Sequence, residues 1–417
     1  MSKFNVRISG DRKFMSNDAL KKISGGVCAA KGFRAAALHC GIKRIQTTKD
    51  DLALIVSDFP TASAGTFTTN QVKAAPVLVS QEFLRTGKVR GVILNSGNAN
   101  ACTGAEGIQN AKAMAQSAAD ALGLPTTNQI LVCSTGRIGV QMPIQKITPQ
   151  IPRLVKQLSR SKSLAAAKAI MTSDSFPKQS AYTGTIEKKS FKIGGIAKGA
   201  GMINPQMATM LCVITTDLAA PPKVLQKLLR EAVETSFNRI TVDGDTSTND
   251  TVLLLANGAS GMVLDEGNTE LFECALRTTC LDLARQIVGD GEGTTKVIEL
   301  TVRGARSNAD ARLAAQSVGN SILLKCAWAG ADPNWGRILD ALGYSQARIN
   351  PERVDVYYEE IPLVLDGQPA PNDAKAVKKI AEKKSFRVTI DLHLGNGEYT
   401  LLTTDLTEEF VRLNLSE

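Results

Sequence analysis

Thr209 is the residue whose surroundings are best suited to chemistry. It sits inside Lys198 to Thr216, which reads KGAGMINPQMATMLCVITT. Gly199, Ala200, Gly201, Asn204 and Pro205 make a turn-rich loop, and Met210 to Ile214 is an apolar, partly β-branched run that reads as a buried strand. At this junction the threonine hydroxyl lies close to the carbonyl of Ala208, and a strained turn can drive one into the other and break the chain. The new N-terminal threonine would carry a nucleophilic hydroxyl beside its own free amine, a ready general base. A threonine opening a strand is also simply a good strand former, so position alone leaves both readings open. The chain has only two histidines, His39 and His393, so a Ser-His-Asp mechanism has few bases to draw on, and a nucleophile with its own amine avoids that need.

The elements that must position this junction alternate between strands and helices. Residues 23–45 are rich in glycine and small side chains, DLALIVSD (51–58) reads as a buried strand, and 64–80 as a strand and turn. GVILNSGNANACTG (91–104) is a short apolar strand feeding a loop of Asn, Ser and Gly, and residues 107–124 form an amphipathic helix ended by Gly123 and Pro125. ILVCSTGRIG (130–139) repeats the strand-then-glycine-loop design. Thr135 and Gly136 fall just past the strand end, where free N–H groups can stabilise an oxyanion; Ser-Thr-Gly is equally an ordinary turn. Helical segments over 151–171 and a strand pair through YTGTIEKKSFKIGGIAKG lead to Thr209.

Beyond it, 221–240 is a helix by periodicity with Lys223 and Lys227 outward. The acidic loop TVDGDTSTNDT has Asp243, Asp245 and Asp250 at spacings reminiscent of a calcium loop, but it lacks the glycine and distal glutamate of that pattern, and no metal is expected. A helix over 269–288 runs into VGDGEGTTK, placing Glu292 in a glycine loop. Trp335 opens a helix, and the final segment is β-rich with a lysine-bearing helix over 373–384. No internal repeat or low-complexity linker appears.

The chain has 417 residues, 43% hydrophobic and 21% charged, a composition of ordinary globular proteins long enough for two or three domains. No apolar run reaches transmembrane length. The N-terminus has basic residues but no apolar core and includes Asp11 and Asp18, so a cytoplasmic location is expected, with a mitochondrial one as the alternative. Eight scattered cysteines with no CxxC pair argue against a zinc site or disulfide framework and read mostly as buried thiols. The net charge of +9 would ordinarily raise nucleic-acid binding, yet only 5% of residues are aromatic and none interleave with a basic run. The charge is also unevenly spread. Residues 1–208 hold 28 Lys and Arg against 10 Asp and Glu, while 209–417 hold 21 against 30. Two fragments of opposite sign suit a pair that stays together after cleavage, and a basic first fragment suits an anionic substrate, while solvated surface charge on both halves explains the split equally well.

Strand and helix alternation without GxGxxG or a P-loop points to a layered α/β or α+β architecture. NSGNANACTG (95–104), STGRIG (134–139), KGAGMINPQMATML (198–211), VDGDTSTNDT (242–251), DGEGTTK (290–296) and DPNWGRI (332–338), in this order, resemble the ornithine acetyltransferases, also called bifunctional glutamate N-acetyltransferases, over nearly the whole chain. The resemblance implies an α/β/β/α sandwich like that of the self-processing aminopeptidases, with a smaller second domain. It implies cleavage between Ala208 and Thr209 into fragments 1–208 and 209–417 that fold together and assemble as an α2β2 heterotetramer. Thr209 would be nucleophile and acetyl carrier, Thr135 and Gly136 the oxyanion hole, and Thr172, Lys198, Glu292 and Asn414 substrate contacts. Lys198 suits a substrate carboxylate and Glu292 an amino group.

The reaction implied is ping-pong transfer of acetyl from N-acetylornithine to glutamate, in arginine biosynthesis. No cofactor is implied, and acetyl-CoA stays open as a co-substrate. Two departures stand out: Arg137 replaces a usually apolar residue, and the chain ends at NLSE, keeping Asn414 but not a threonine five residues later, so altered acceptor contacts are expected. A hydrolase of the same superfamily, with water as acceptor, is the alternative. No nucleic-acid or membrane partner is expected.

Overall fold

The computed structural model describes residues 20–43, 48–85, 88–186, 189–204, 210–264 and 269–415. Among these residues three sheets form. The first has six strands in the order Leu20–Lys22, Lys178–Ile186, Lys189–Lys198, Leu211–Thr216, Thr251–Ala256 and Ala62–Phe67. Its fourth and fifth strands, Leu211–Thr216 and Thr251–Ala256, are parallel and the other pairings are antiparallel. The second sheet orders Phe33–Leu38, Leu52–Ser57, Gly91–Asn98 and Ile130–Arg137, with the last two parallel.

These two sheets pack face to face, and the period of two along a strand sorts the side chains. Ile196, Leu211, Val213, Leu253 and Leu255 turn toward the four-stranded sheet and share its core. Their neighbours Ile193, Ala197, Cys212, Ile214, Val252 and Leu254 turn the other way, onto Leu225, Leu229, Phe272, Leu276 and Leu283 of the helices Pro222–Glu234 and Thr269–Val288. The helix Gly104–Ala121 covers the far side of the four-stranded sheet through Met114, Ala115 and Ala118. The layers are therefore helix, sheet, sheet, helix. Being covered on both faces explains why LALIVS and LCVITT are unbroken runs in which every residue is buried.

A smaller unit follows from Val297. Its sheet runs Gln368–Pro369, Ile361–Leu365, Asp355–Tyr358, Ser385–Asp391, Val297–Ala305, Gly397–Thr404, with helices Asn308–Gly319, Ile322–Ala329 and Trp335–Gly343 packed against it. Trp328 is fully buried here, donating its indole N–H to the Tyr358 hydroxyl at 2.9 Å. The edge strand Gly397–Thr404 joins this unit to the sandwich: Thr241 N–H donates to Leu402 O at 2.9 Å and the Tyr399 hydroxyl to Asn238 O at 2.8 Å.

Two expectations need correction. Residues 75–84 form a helix, Ala75–Leu84, with Pro76 in its first turn, not part of a strand and turn; Val77 and Val79 supplied a strand-like alternation that Pro76, suited to a helix start, overrode. The helical segments expected over 151–171 are two short helices, Ile151–Lys156 and Ser163–Ala169. The cysteines are less buried than expected: Cys133, Cys212 and Cys280 are enclosed, while Cys102 and Cys326 are exposed. No helix among the described residues is long and apolar enough to cross a membrane.

Candidate active site

The parallel strands Gly91–Asn98 and Ile130–Arg137 stay in register as far as Gly97 opposite Gly136, and the pairing then slips at Asn98. Gly136 has φ of +132°, and a Cβ there would lie 2.4 Å from the Gly97 carbonyl carbon, so glycine alone fits this crossing. Thr135 and Gly136 thus lie inside the strand rather than past its end as expected, because pairing with Ser96 and Gly97 carries the ladder through them; the side chain of Thr135 is buried, and Gly136 opens to solvent. Behind them the Ser134 hydroxyl donates to Asn95 Oδ1 at 2.6 Å, and Asn249 Nδ2 donates to Ser134 O at 2.9 Å and Ala99 O at 2.7 Å. The glycine loop is thus anchored from the opposite sheet.

Lys198 ends its strand directly against this loop, with Nζ 3.3 Å from the Thr135 hydroxyl oxygen. It is only 4% exposed, and among the described residues no carboxylate stands within ion-pair distance of it. Burial pushes the ammonium below its usual range; the nearby charges of Asp174, Glu292 and Asp250 work against that fall, while Lys178 adds to it. A buried cation without a contacting anion is costly unless something anionic binds there.

Asp174 organises the surrounding backbone. It accepts Gly199 N–H at 2.8 Å and Thr172 N–H at 3.0 Å. Lys178 bridges it to Asp290, at 2.6 and 2.5 Å, all three side chains being almost fully enclosed. Burial opposes the charge on Asp174, but Lys198, Lys178 and the Gly199 N–H outweigh it and hold the carboxyl at about 2. Ser175 also bonds Asp290 through its N–H and its hydroxyl, which ties Thr172 and Lys198 to the loop that carries Glu292.

Glu292 N–H donates to Ala200 O at 3.0 Å. A Cβ on Gly201 would meet the Glu292 carboxylate at 2.5 to 2.7 Å, so the glycine is what lets this side chain lie across the loop. Asn414, on the exposed helix Glu408–Asn414, donates from Nδ2 to Glu292 Oε2 at 3.0 Å. Gly293 packs as tightly against Phe410 N, and the Thr407 hydroxyl donates to Gly293 O, locking that helix to the glycine loop.

Ala208 and Thr209 lie outside the described residues. The strand resumes at Met210, whose N–H is accepted by Asp250 Oδ1 at 2.9 Å and whose carbonyl accepts Thr251 N–H at 3.0 Å. Among the residues singled out from sequence, Thr135 and Lys198 are in direct contact, as are Glu292 and Asn414. Thr172 is exposed and joins through its backbone bond to Asp174. Gly136 is placed beside Thr135, and Arg137 is exposed on the same loop. Sequence reasoning passed over Asp174, Lys178 and Asp290; the four-residue step in DSFPK and the aspartate before GEG were their only signals. Asp250 was weighed solely as a calcium ligand, and no group of potential metal ligands assembles among the described residues.

Residues 34–416 match the model of the ArgJ family. The chain is 49% identical over 388 residues to the arginine biosynthesis bifunctional protein ArgJ of Geobacter sulfurreducens, covering 92% of this chain and 98% of that one. It is 43% identical over 407 residues to the glutamate N-acetyltransferase of Methanocaldococcus jannaschii, covering 95% and 99%. A solved structure of Mycobacterium tuberculosis ornithine acetyltransferase complexed with ornithine is 40% identical over 46% of this chain and 99% of that one, with a TM-score of 0.41. With a family match over nearly its full length and relatives of this identity, the chain belongs to the ArgJ family.

Proposed function

We propose that this protein is an N-acetyltransferase of arginine biosynthesis that carries acetyl on Thr209 from N-acetylornithine to glutamate. The observation that carries the reading is the buried Lys198 ammonium, 3.3 Å from the Thr135 hydroxyl and with no carboxylate in contact among the described residues: it supplies a place for a substrate carboxylate beside a loop suited to an oxyanion.

Maturation comes first. The Thr209 hydroxyl oxygen attacks the Ala208 carbonyl carbon, the amide C–N bond breaks with a proton going to the nitrogen, and an ester forms. Water then hydrolyses that ester, leaving a carboxylate on Ala208 and a free amine and hydroxyl on Thr209. In turnover the same hydroxyl, its proton taken by the adjacent amine, attacks the acetyl carbonyl of N-acetylornithine. The amide bond breaks, ornithine leaves with the proton, and acetyl stays on Thr209 as an ester. The glutamate amine attacks that ester, and N-acetylglutamate departs as Thr209 recovers its proton.

Thr135 and Gly136 stabilise the oxyanion in each half-reaction. Lys198 pairs the substrate carboxylate, Glu292 holds an amino group while Asn414 orients its carboxylate, and Thr172 closes the substrate site. The chemistry requires no cofactor, with acetyl-CoA as a further acetyl donor to be tested. Fragments 1–208 and 209–417 remain folded together, assemble as α2β2 and work in the cytoplasm.

Intact mass and denaturing gels of the wild type beside Thr209→Ala test the first step. Two fragments meeting at Ala208-Thr209 in the wild type, one chain in the variant, and a mass gain of one acetyl group on fragment 209–417 with N-acetylornithine are expected. Acetyl transfer is then assayed with glutamate, with and without acetyl-CoA. An uncut, unacetylated wild type would overturn the reading, and release of free acetate independent of glutamate would replace it with a hydrolase.

A further inference from the structure

The stretch VDGDTSTNDT has no part in the proposed reaction, yet it carries a fully buried carboxylate, Asp250, and a half-buried one, Asp243. On one side, Asp243 accepts Met202 N–H on Oδ2 at 2.6 Å and Ile203 N–H on Oδ1 at 2.9 Å. Ile203 O in turn accepts Val242 N–H at 2.8 Å and the Thr241 hydroxyl at 3.0 Å, and Asn204 Nδ2 donates to Gly244 O at 2.5 Å. Met202 is held at φ of +59°, a left-handed conformation that a non-glycine residue adopts only under constraint. On the other side Asp250, fully buried, accepts Met210 N–H on Oδ1, and that N–H belongs to the peptide bond formed by residue 209. Asp250 Oδ2 is buried with no partner among the described residues. Between the two aspartates Asn249 reaches across to Ser134 O, the residue before Thr135.

One loop therefore grips the backbone at Met202 and Ile203 and again at Met210, and reaches the glycine loop at Ser134. A fully buried carboxylate beside a half-buried one is an expensive way to lead into a strand; desolvation pushes Asp243 up to about 6 and Asp250 well above its usual range. We propose that Asp243 and Asp250 are positioning residues for cleavage at Ala208-Thr209, and that Asp250 continues to align the threonine after cleavage. This rests on the reading of Thr209 as the self-generated nucleophile. Asp243 holds the upstream side, which ends in a separate fragment once the chain is cut, so its influence ends with maturation. Asp250 stays bonded next to the nucleophile through every turnover.

The test follows cleavage of freshly folded full-length chains on denaturing gels, with thermal midpoints measured alongside. Asp243→Asn and Asp250→Asn are expected to slow cleavage about tenfold or more, the scale of one hydrogen bond to the carboxyl group that the amide does not reproduce, with midpoints within a few degrees of the wild type. Asp245→Ala, on the same loop but exposed, cleaves at the wild-type rate. The cleaved fraction of Asp243→Asn keeps wild-type kcat, whereas that of Asp250→Asn loses kcat at unchanged KM; a merely structural role would not divide the two in this way. Should either aspartate variant fail to fold, Asn204→Ala cuts the same clamp from the segment side and slows cleavage severalfold. Wild-type cleavage rates in the aspartate variants, or in Asn204→Ala where these do not fold, would overturn the proposal, as would slowing in Asp245→Ala to the same degree. A wild-type chain that never cleaves would instead bring down the nucleophile reading and this one with it.

Discussion

Replacing Lys178 with methionine isolates what the buried charges near the site do. The ammonium lies 2.6 Å from Asp174 and 2.5 Å from Asp290, with all three side chains almost fully enclosed. Removing it leaves two carboxylates facing each other out of water, a loss of about 3–5 kcal/mol for breaking a buried pair from one side. A pH signature follows from Asp174, which is held at about 2 against an ordinary 3.8. A depressed carboxyl stabilises the fold above its unfolded pKa, and that contribution is lost as pH falls through the folded one, here between about pH 4 and pH 2; the shift is worth roughly 2–3 kcal/mol. In Lys178→Met the carboxyl rises and the loss moves into milder acid. Urea unfolding of the uncut Thr209→Ala chain, followed by far-ultraviolet circular dichroism at pH 7, 5 and 4, measures both effects. The triple variant Asp174→Asn, Lys178→Met, Asp290→Asn should recover much of the stability, since no charge is left unpaired. A cost below about 1 kcal/mol, or a triple variant no more stable than the single one, would refute the reasoning.

Other consequences are as direct. Lys198→Met removes the cation that awaits a carboxylate, and kcat/KM for acetyl transfer should fall by about a hundredfold or more, the scale of a lost charge-assisted contact in a dry site; steady-state rates at several glutamate concentrations read this. Glu292→Gln should raise KM for the amino-acid substrate about tenfold or more, and Asn414→Ala, which only frees Glu292 Oε2, by less. Gly136→Ala should abolish transfer while leaving a soluble chain, because the added carbon meets the backbone of Gly97 and Asn98; activity and circular dichroism together check it. Lys325 is fully buried, bonded to Thr403 and Thr404, and pushed down to about 7 by burial. A lysine whose folded pKa is depressed makes stability rise with pH from about 7 toward 10.5, by roughly 2–3 kcal/mol between pH 7 and 9, and Lys325→Met should flatten that slope in urea titrations.

Much of the architecture was legible because both faces of the central strands are covered: LALIVS and LCVITT announce themselves as unbroken apolar runs, and the 221–240 and 269–288 segments carry clear helical periods. The helix Ala75–Leu84 was misread because its alternating valines imitate a strand over a short window, and periodicity cannot arbitrate there. The helices Asn308–Gly319 and Ile322–Ala329, rich in alanine or apolar nearly throughout, gave no period to find. At the site, motif glycines marked the loops, but contacts such as Lys178 with Asp290 join residues 112 positions apart, and a single sequence has no term for that distance. The roles of Asp243 and Asp250 were hidden for the same reason: what they hold is the backbone of another loop.

The order of strands in the six-stranded sheet has a consequence for the life of a cut molecule. Leu211–Thr216 and Thr251–Ala256 are interior strands, flanked on one side by Lys189–Lys198 and on the other by Ala62–Phe67. A chain severed at residue 208 would be two polypeptides threaded through one sheet, neither with a complete core. Parting them would require melting the molecule, and each half, once released, would meet only other halves at dilution. Refolding would become second order, so the parting of the two fragments would make the midpoint depend on protein concentration after cutting.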